Sequence, residues 1–332
     1  MRDGVSLTNL DQPLFDGAGA TKRDLVDYLD AVGERIIPVL RDRPLSVIRV
    51  HRGQTPFMQK NVPKYTPSWV ATVPMWAEAS QRQVSYALCN DRRTLLWFAN
   101  QRAVEYHPAL FRLRGTPPNP RGVDRWDGPN HLVLDLDPTA GDDGFHLAVR
   151  AAHAVRRVLS DAGLDGAVKT SGAKGVHVFV PLDGQASTEE VAAAGRALAA
   201  RTERLDPALT TTAFIREDRG GKVFLDSTRA GGATVVAAYS PRARPGLPVS
   251  FPVPWDALDA VAPADFTVHT AGRTIAEGDP WAALMPRAQR LPADLIEEGR
   301  AIPGARVQAM HEGKRRARAR AQAPRDPQNG GS

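Results

Sequence analysis

Residues 131–138, HLVLDLDP, alternate apolar and polar side chains in the way that is typical of a β-strand buried on one face. Because side chains alternate across a strand, the three leucines share one face, and His131, Val133, Asp135 and Asp137 share the other. Two carboxylates therefore emerge side by side at the end of the strand, where they repel each other unless a cation lies nearby. Oxygen ligands indicate Mg²⁺ or Mn²⁺. The alternative interpretation is that the two aspartates only begin a turn.

A second motif, KTSGAKGVHVFVPL at residues 169–182, places a glycine-containing turn between two short strands. The backbone N–H groups of such a turn can converge on an anion, and Ser171, Gly172 and Lys174 would contribute to the same phosphate cradle. His177 follows on the second strand, on the face opposite to the valines. The motif predicts a phosphate-binding hairpin. Taken alone, it is equally compatible with a plain hairpin that carries a half-buried histidine.

A third acid, Asp226, ends the apolar run KVFLD at residues 222–226. Two metal ions need more ligands than two carboxylates supply, and a third acid that bridges both ions suits phosphoryl or nucleotidyl transfer. Arg219, just before this run, and Arg242 and Arg244 in SPRARPG are candidate clamps for a triphosphate. Judged singly, such an aspartate is more often a turn initiator and each arginine a solvated charge.

A fourth stretch, FMQKNVPK at residues 57–64, sets Phe57 and Met58 beside Lys60 and Lys64. The apolar pair could stack on a base while the lysines meet the phosphates of DNA. The stretch could equally be a loop that packs one aromatic ring on the core.

The composition is that of a globular protein, with 332 residues of which 42% are hydrophobic and 24% charged. No apolar run approaches the roughly 18 residues of a membrane span, and no apolar segment follows a basic head at the start. We therefore expect a cytoplasmic protein without membrane contact. We also expect it to be nucleoid-associated and monomeric. The single cysteine, Cys89, excludes a disulfide framework and a cysteine-rich zinc site. Much of the net charge of +6 lies in residues 311–332, so a polyanionic partner would meet a local patch or this tail.

The periodicity of the chain predicts an α+β fold, because strands and helices mix without regular alternation and neighbouring strands are joined by short turns. The expected domains are an N-terminal extension at 1–20, a catalytic domain at 21–300 and a basic, disordered tail at 301–332. An exposed loop is expected at 112–129. The expected helices lie at 21–41, 91–102, 144–162 and 188–205, and the expected strands at 46–51, 83–89, 103–107, 131–137, 167–170, 176–182, 222–226 and 234–240.

Together these segments resemble the archaeo-eukaryotic primase superfamily, and most closely the bacterial polymerase domain of DNA ligase D and its stand-alone relatives. Five elements occur in order: FMQKNVPK, EYHP, HLVLDLDP, KTSGAKGVHVFVPL, and FLDSTR followed by TVVAAYSPRARPG. The resemblance implies a primase-like core of mixed or antiparallel sheets flanked by helices. It also implies a template-dependent DNA or RNA polymerase that adds rNTPs or dNTPs to primer 3′ ends in gaps or broken ends during DNA repair.

The same resemblance implies a set of site residues and partners. Asp135, Asp137 and Asp226 would be catalytic and would hold two divalent ions, Mn²⁺ or Mg²⁺. The incoming nucleotide would be bound by Ser171, Gly172, Lys174, His177, Arg219, Arg242, His107, Phe57 and Met58, and DNA by Lys60, Lys64 and Arg244. The implied partners are a gapped or end-containing duplex with a 5′-phosphate, NTPs or dNTPs, a separate DNA ligase and an end-binding protein.

The chain departs from the family pattern in three places. Met58 stands where the family has a second aromatic residue, and Arg229 is followed by Ala230 where the family commonly has a basic residue followed by Asn. The loop between His107 and Asp135 is long and rich in Arg and Pro.

Two rival functions remain open at this stage. Asp135 to Thr139 also look like the nucleophile motif of a haloacid-dehalogenase-type phosphatase that uses one Mg²⁺. A catalytically idle DNA-binding module that uses the basic tail and loops is the other possibility.

Overall fold

The computed structural model describes residues 1–51, 53–77, 81–113, 128–139, 141, 143–230, 234–272 and 278–304. The helices are α1 (Lys22–Ala31), α2 (Gly33–Leu40), α3 (Arg92–Asn100), α4 (Gly144–Asp161), α5 (Thr188–Leu205), α6 (Pro280–Leu284) and α7 (Ala293–Arg300). The strands are β1 (Leu45–Arg49), β2 (Phe57–Gln59), β3 (Thr72–Ala77), β4 (Arg82–Ala87), β5 (Ala103–Pro108), β6 (His131–Asp137), β7 (Ala167–Thr170), β8 (Val176–Pro181), β9 (Thr210–Thr211), β10 (Val223–Asp226) and β11 (Pro252–Val253). Helices and two sheets mix as the α+β prediction requires.

The larger sheet has the strand order β11-β7-β8-β6-β10-β9 and is antiparallel except between β9 and β10. β6 lies between β8 and β10, and its bounds are those predicted for residues 131–137. The three leucines of β6 pack into one buried cluster with the apolar sides of α4 and α5, whereas Val133 belongs to a second cluster on the other face. The predicted division of the strand into two faces is confirmed.

The smaller sheet has the order β2-β1-β4-β3, with β5 paired to β1, and all its described pairings are antiparallel. α1, α2 and α3 contribute to the cluster that covers its inner face. The N-terminal residues contribute as well, because Val5, Leu14 and Ala18 are buried in the same cluster. The segment 1–20 therefore packs as part of this core.

The helix expected over 21–41 is two helices in the structure. α1 begins with a capping box, in which Thr21 and Asp24 exchange hydrogen bonds, and ends at Ala31; Val32 caps it, and α2 starts at Gly33. Glycine is a weak helix former, and Pro38 within α2 lacks the N–H that would bond to the turn before it. The apolar stripe continues through both helices, which is why the pattern alone predicted one.

The prediction of a strand over residues 234–240 is wrong. The segment runs beside β5 but makes only sparse backbone bonds to it, from Val235 to the carbonyl of Pro108 and from Ala237 to that of Tyr106. Tyr239 then adopts a φ of +68°, which turns the chain away from an extended ladder. The side chains of the segment are buried, so its apolar run reflects packing and not regular pairing.

The other predicted elements agree with the structure to within two residues at each end, and the helix at 188–205 and the strand at 167–170 agree fully. Most of the loop predicted at 112–129 and most of the tail lie outside the described residues. At the C-terminal side, α7 packs on α5 at backbone distance, because a Cβ on Gly299 would lie 1.8 Å from the carbonyl oxygen of Ala193. In the described part of the chain, no helix has the length and apolar character that crossing a membrane requires.

Candidate active site

One row of polar side chains crosses the larger sheet. The strand register sets Asp226 of β10 opposite Asp135 of β6, Asp135 opposite His177 of β8, and His177 opposite Lys169 of β7. Side chains of residues that face each other across a ladder lie on the same side of the sheet. All four are buried at their backbones by the neighbouring strands, and each is less than a tenth exposed. We call these four residues the polar row.

The carboxylates of the polar row share one cation. Arg229, in the short helix Thr228–Ala230 after β10, places its Nη2 2.8 Å from Asp135 Oδ2 and 3.0 Å from Asp226 Oδ2. The remaining oxygens are engaged as well: Asp226 Oδ1 accepts from the N–H and hydroxyl of Thr228, and Asp135 Oδ1 lies 3.1 Å from His177 Nε2. The guanidinium therefore lies where two acids offer ligands to a cation.

Asp137 completes the acidic cluster at the end of β6. Burial and the negative charges of Asp135 and Asp226 raise its pKa to about 6, although the positive charge of Arg229 partly lowers it. Burial alone would also raise the pKa of Asp135, but the hydrogen bond from His177 and the charge of Arg229 outweigh burial and lower it. The cluster carries more negative charge than Arg229 alone neutralises, which is the electrostatic condition for binding a further cation.

The donor set fits divalent metal ions in its chemistry, since it consists of three closely spaced carboxylates. Among the residues that the structure describes, no group of three or more His, Cys, Asp or Glu side chains is arranged to hold an ion as it stands. The Arg229 guanidinium, bonded to Asp135 and Asp226, occupies the position between them. Arg229 is thus a stand-in cation, and it would have to move for an ion to bind both acids.

The turn between β7 and β8 approaches its surroundings closely. Gly172 has a φ of +68°, and a Cβ there would lie 2.7 Å from Arg242 Cγ and 2.8 Å from the backbone nitrogen of Ser250. Only glycine fits this position without displacement. Ser171 Oγ accepts from the N–H groups of Ala173 and Gly175, which leaves its own hydroxyl hydrogen free for an incoming acceptor.

A cavity of about 460 Å³ opens beside the acids and this turn. It brings together most of the residues that the sequence singled out and is lined, among others, by His107, Asp135, Asp137, Ser171, Lys174, His177, Arg216, Arg229, Arg242 and Arg244. Its lining therefore combines carboxylates with hydroxyl, ammonium, imidazole and guanidinium groups.

His107 and Arg242 are held on this wall by Glu105. His107 Nε2 lies 2.8 Å from Glu105 Oε2, Arg242 Nε lies 3.1 Å from the same oxygen, and Glu105 Oε1 accepts from the N–H of Ala243. Burial would raise the pKa of Glu105, but the hydrogen bond from His107 and the charge of Arg242 lower it to about 2. Arg242 also donates to the carbonyl of Ser171, which ties it to the phosphate-binding turn.

Several predicted residues lie away from the cavity lining. Arg219 donates to the carbonyls of Ala213 and Phe214 and lies over the ring of Phe224 at 3.9 Å. Asp226 and Gly172 do not line the cavity themselves, but each lies next to a residue that does, Arg229 and Arg242 respectively. Lys60 and Lys64 follow β2 in the smaller sheet and are both exposed.

The two residues of the FM pair lie on opposite faces of β2. Met58 is paired with Ile48 of β1, and Ile48 is paired with Glu105 of β5, so Met58 shares the face that carries Glu105. Phe57 is paired with Arg49, whose guanidinium lies 5.8 Å from the ring centre. The ring of Phe57 also stacks on His51. Met58, 45% exposed, is thus the member of the pair on the face of the site.

Sequence reasoning missed four contributors: Glu105, Lys169, Arg216 and the bridging position of Arg229. Glu105 could have been found, since it lies two residues before His107 on the same strand and therefore on the same face. Lys169 stands within the predicted strand, but nothing local marks it as buried. The contacts of Arg229 and Arg216 depend on how distant segments meet, and the sequence carries no local signal for them.

Comparisons with known proteins agree on one family. The model of the LigD primase-polymerase domain matches residues 21–281. The chain is 32% identical over 271 residues to the bifunctional non-homologous end joining protein LigD of Bacillus subtilis, covering 80% of this chain and 41% of that protein. It is 34% identical over 262 residues to the multifunctional non-homologous end joining DNA repair protein LigD of Mycobacterium tuberculosis. That alignment covers 77% of this chain and 33% of that protein. The chain thus spans about two fifths of the length of the first of these curated relatives and a third of the second.

The solved polymerase domain from Mycobacterium tuberculosis ligase D, in complex with DNA, has the same fold with a TM-score of 0.77 and 32% identity. The alignment covers 86% of this chain and 99% of that domain. The primase-like core expected from the sequence is confirmed. The chain belongs to the LigD primase-polymerase domain family, whose members are DNA-directed nucleotidyltransferases that depend on divalent metal ions.

Proposed function

We propose that this chain extends primer 3′ ends in gapped or broken DNA by template-dependent transfer of ribo- or deoxyribonucleotides. The observation that carries the proposal is the register of β6 and β10. It brings Asp135 and Asp226, 91 positions apart in sequence, together beside a cavity that is also lined by candidate phosphate-binding groups such as Ser171, Lys174 and Arg242. Acids and cations around one cavity suit a nucleoside triphosphate with bound metal ions.

Asp135, Asp137 and Asp226 are the residues that would hold two divalent ions, Mn²⁺ or Mg²⁺. When bound, such ions activate the primer 3′-hydroxyl and neutralise charge on the triphosphate. The hydroxyl of Ser171, the ammonium of Lys174 and the backbone of Gly172 would bind the phosphates, together with Arg242. For His177 and Arg219 to bind a phosphate as well, each would have to exchange one of its present hydrogen-bond partners. His107 and Met58 would meet the nucleoside, and Phe57, on the other face of β2, would reach it only if β2 changed its orientation. Positioning and charge neutralisation account for most of the catalysis that such a site needs.

DNA is the proposed polymeric substrate. The similar polymerase domain of Mycobacterium tuberculosis was solved in complex with DNA. On this chain, Lys60, Lys64 and Arg244 would meet the backbone phosphates near the exposed FM pair. The relatives are named as non-homologous end joining proteins, which supports a role in that repair pathway. A separate DNA ligase, an end-binding protein and a nucleoid-associated location in the cytoplasm belong to the same proposal.

The phosphatase alternative finds no support in the geometry. Its nucleophilic aspartate would need a free carboxylate oxygen, whereas both oxygens of Asp135 are engaged by His177 and Arg229. Asp135 also lies on a strand, β6, that is antiparallel to both of its neighbours, β8 and β10. That sheet differs from the doubly wound parallel sheet that presents strand-end groups to a crevice.

The proposal is tested by primer extension on a gapped duplex with a 5′-phosphate, with rNTPs and dNTPs compared in Mn²⁺ and in Mg²⁺. Asp135→Asn and Asp137→Asn should each lower incorporation by at least about a thousandfold, because several kcal/mol of charge stabilisation depend on the acids. Asp294→Asn is the matched control, since Asp294 is a largely exposed carboxylate on α7. Incorporation by Asp135→Asn at the level of this control would overturn the proposal.

A further inference from the structure

Lys169 is a lysine without solvent contact at one end of the polar row. It has no exposed surface, and its Nζ lies 2.8 Å from His177 Nδ1 and 2.5 Å from Ser250 Oγ. Neither partner is a carboxylate, and burial together with the charge of Arg242 lowers the pKa of Lys169 well below its ordinary value. A buried amine without an adjacent counter-charge is costly, and an apolar residue of similar size would pack there at lower cost.

With a neutral imidazole at His177, the hydrogen bonds around Lys169 have one consistent direction. Ser250 donates its hydroxyl to the carbonyl of Thr170 at 2.8 Å, so its oxygen accepts from Lys169. An ionised Asp135 only accepts, so the hydrogen between Asp135 and His177 belongs to His177 Nε2. A neutral imidazole carries one N–H, and its Nδ1 is then an acceptor, which leaves Lys169 as the donor.

These bonds form a continuous chain from Ser250 through Lys169 and His177 to Asp135. Replacing Lys169 by an apolar residue would leave Nδ1 of His177 buried without a partner, unless the imidazole moved its hydrogen to that nitrogen. The second outcome would turn the Nε2 lone pair toward the Asp135 carboxylate and repel it. Either outcome removes the fixed orientation of Asp135, one of the acids at the proposed ion site.

We propose that Lys169 is a positioning residue: its donation to His177 Nδ1 selects the Nε2–H form of that imidazole and thereby sets the Asp135 carboxylate for metal binding. The proposal rests on the proposed function, in which Asp135 is a metal ligand. Lys169 itself touches neither acid. Partners that orient a metal-binding side chain in this way are commonly worth about 10- to 100-fold in metal affinity.

The first test is the tautomer of His177 in the wild-type protein, observed by ¹⁵N NMR of imidazole-labelled protein without nucleotide or DNA. The chain has eight histidines, and His177→Gln identifies the relevant signal. We expect a protonated Nε2 and an unprotonated Nδ1 in the wild type. A protonated Nδ1 would overturn the proposal without the need for any variant of Lys169.

The second test compares Lys169→Met with Lys222→Met. Lys222 is a half-buried lysine just before β10 that has no assigned role. Lys169→Met should lose the single Nε2–H form and bind Mn²⁺ at least about tenfold more weakly, measured by EPR titration in the absence of nucleotide. Lys169→Gln keeps an N–H donor and should retain more of both properties. It replaces Lys169→Met if that variant does not fold.

Each outcome decides between a positioning and a purely structural role. An unchanged tautomer and a Mn²⁺ affinity equal to that of Lys222→Met would overturn the proposal. These readouts are independent of catalysis. Nucleotide incorporation that survives Asp135→Asn would instead overturn the proposed function, whatever the tautomer of His177 is.

Discussion

Replacing Asp137 by asparagine should stabilise the metal-free protein while it abolishes nucleotide transfer. The pKa of Asp137 is raised from 3.8 to about 6, first by burial and then by its acidic neighbours. At about 1.4 kcal/mol per pKa unit, this difference corresponds to about 3 kcal/mol of destabilisation once the carboxyl group is ionised. Because Asp137 is only half-buried, solvent screening reduces the expected gain of Asp137→Asn to about 1–3 kcal/mol.

The effect should depend on pH with a definite sign. Below about pH 4, Asp137 is protonated in both the folded and the unfolded chain, so wild type and Asp137→Asn differ little. Between about pH 4 and 6 the unfolded chain loses this proton while the folded chain keeps it, so the wild type loses stability as the pH rises. Above about pH 6 the difference in unfolding free energy between wild type and Asp137→Asn is constant.

The assay is thermal unfolding in EDTA at pH 4.5, 6 and 8, with Asp294→Asn as the control. A gain of about 1–3 kcal/mol at pH 8 corresponds to a melting temperature about 1–4 °C higher for a chain of this size. Adding Mn²⁺ should reverse the order, because an ion that binds the native state stabilises it by mass action and Asp137→Asn binds it less well. If Asp137→Asn melts at or below the wild-type temperature at pH 8 in EDTA, the electrostatic reasoning fails.

Three further changes probe the site. Arg229→Gln removes the guanidinium between Asp135 and Asp226. EPR without nucleotide should therefore show Mn²⁺ binding about tenfold more tightly, while the melting temperature in EDTA falls. A Mn²⁺ affinity equal to that of the wild type would contradict the role of Arg229 as a stand-in cation. Glu105→Gln weakens the ion pair that holds Arg242. Steady-state kinetics should therefore show a KM for the nucleotide about tenfold higher. An unchanged KM would contradict a role for Arg242 in nucleotide binding. Met58→Phe adds a stacking ring worth about 1–3 kcal/mol per base. Fluorescence anisotropy should therefore show tighter binding of a template overhang, and no gain would place the base elsewhere.

The sequence predicted the elements of this fold well where the signal was local. The alternation of leucines and acids in residues 131–137 identified both the bounds of β6 and its two faces, because a strand with one buried side must alternate. The same reasoning failed at 234–240, where an apolar run is buried without a ladder and Tyr239 takes a positive φ. Apolar periodicity reports burial, and burial does not require regular pairing.

The site was predictable in its residues but not in its contacts. Strand-end acids and the glycine turn were visible as motifs, and the cavity brings most of them together. The pairing of Asp135 with Asp226 depends on strand register between distant segments, and the bridge from Arg229 depends on that pairing. Lys169 was hidden for another reason: a lysine inside a short strand is usually exposed at the surface, and only the packing of Ser250 and His177 around it gives it partners.

The contact of Gly299 with the backbone of Ala193 has a practical consequence for where the folded unit ends. The family match stops at residue 281, yet Leu291 and Leu295 are buried in the cluster that supports the leucine face of β6. A truncation after residue 281 would remove α7 from the cluster that supports the leucine face of β6. It would also expose the apolar side of α5, which consists mostly of small residues. We therefore expect an expression fragment that stops at residue 281 to aggregate, and one that extends through residue 304 to remain folded.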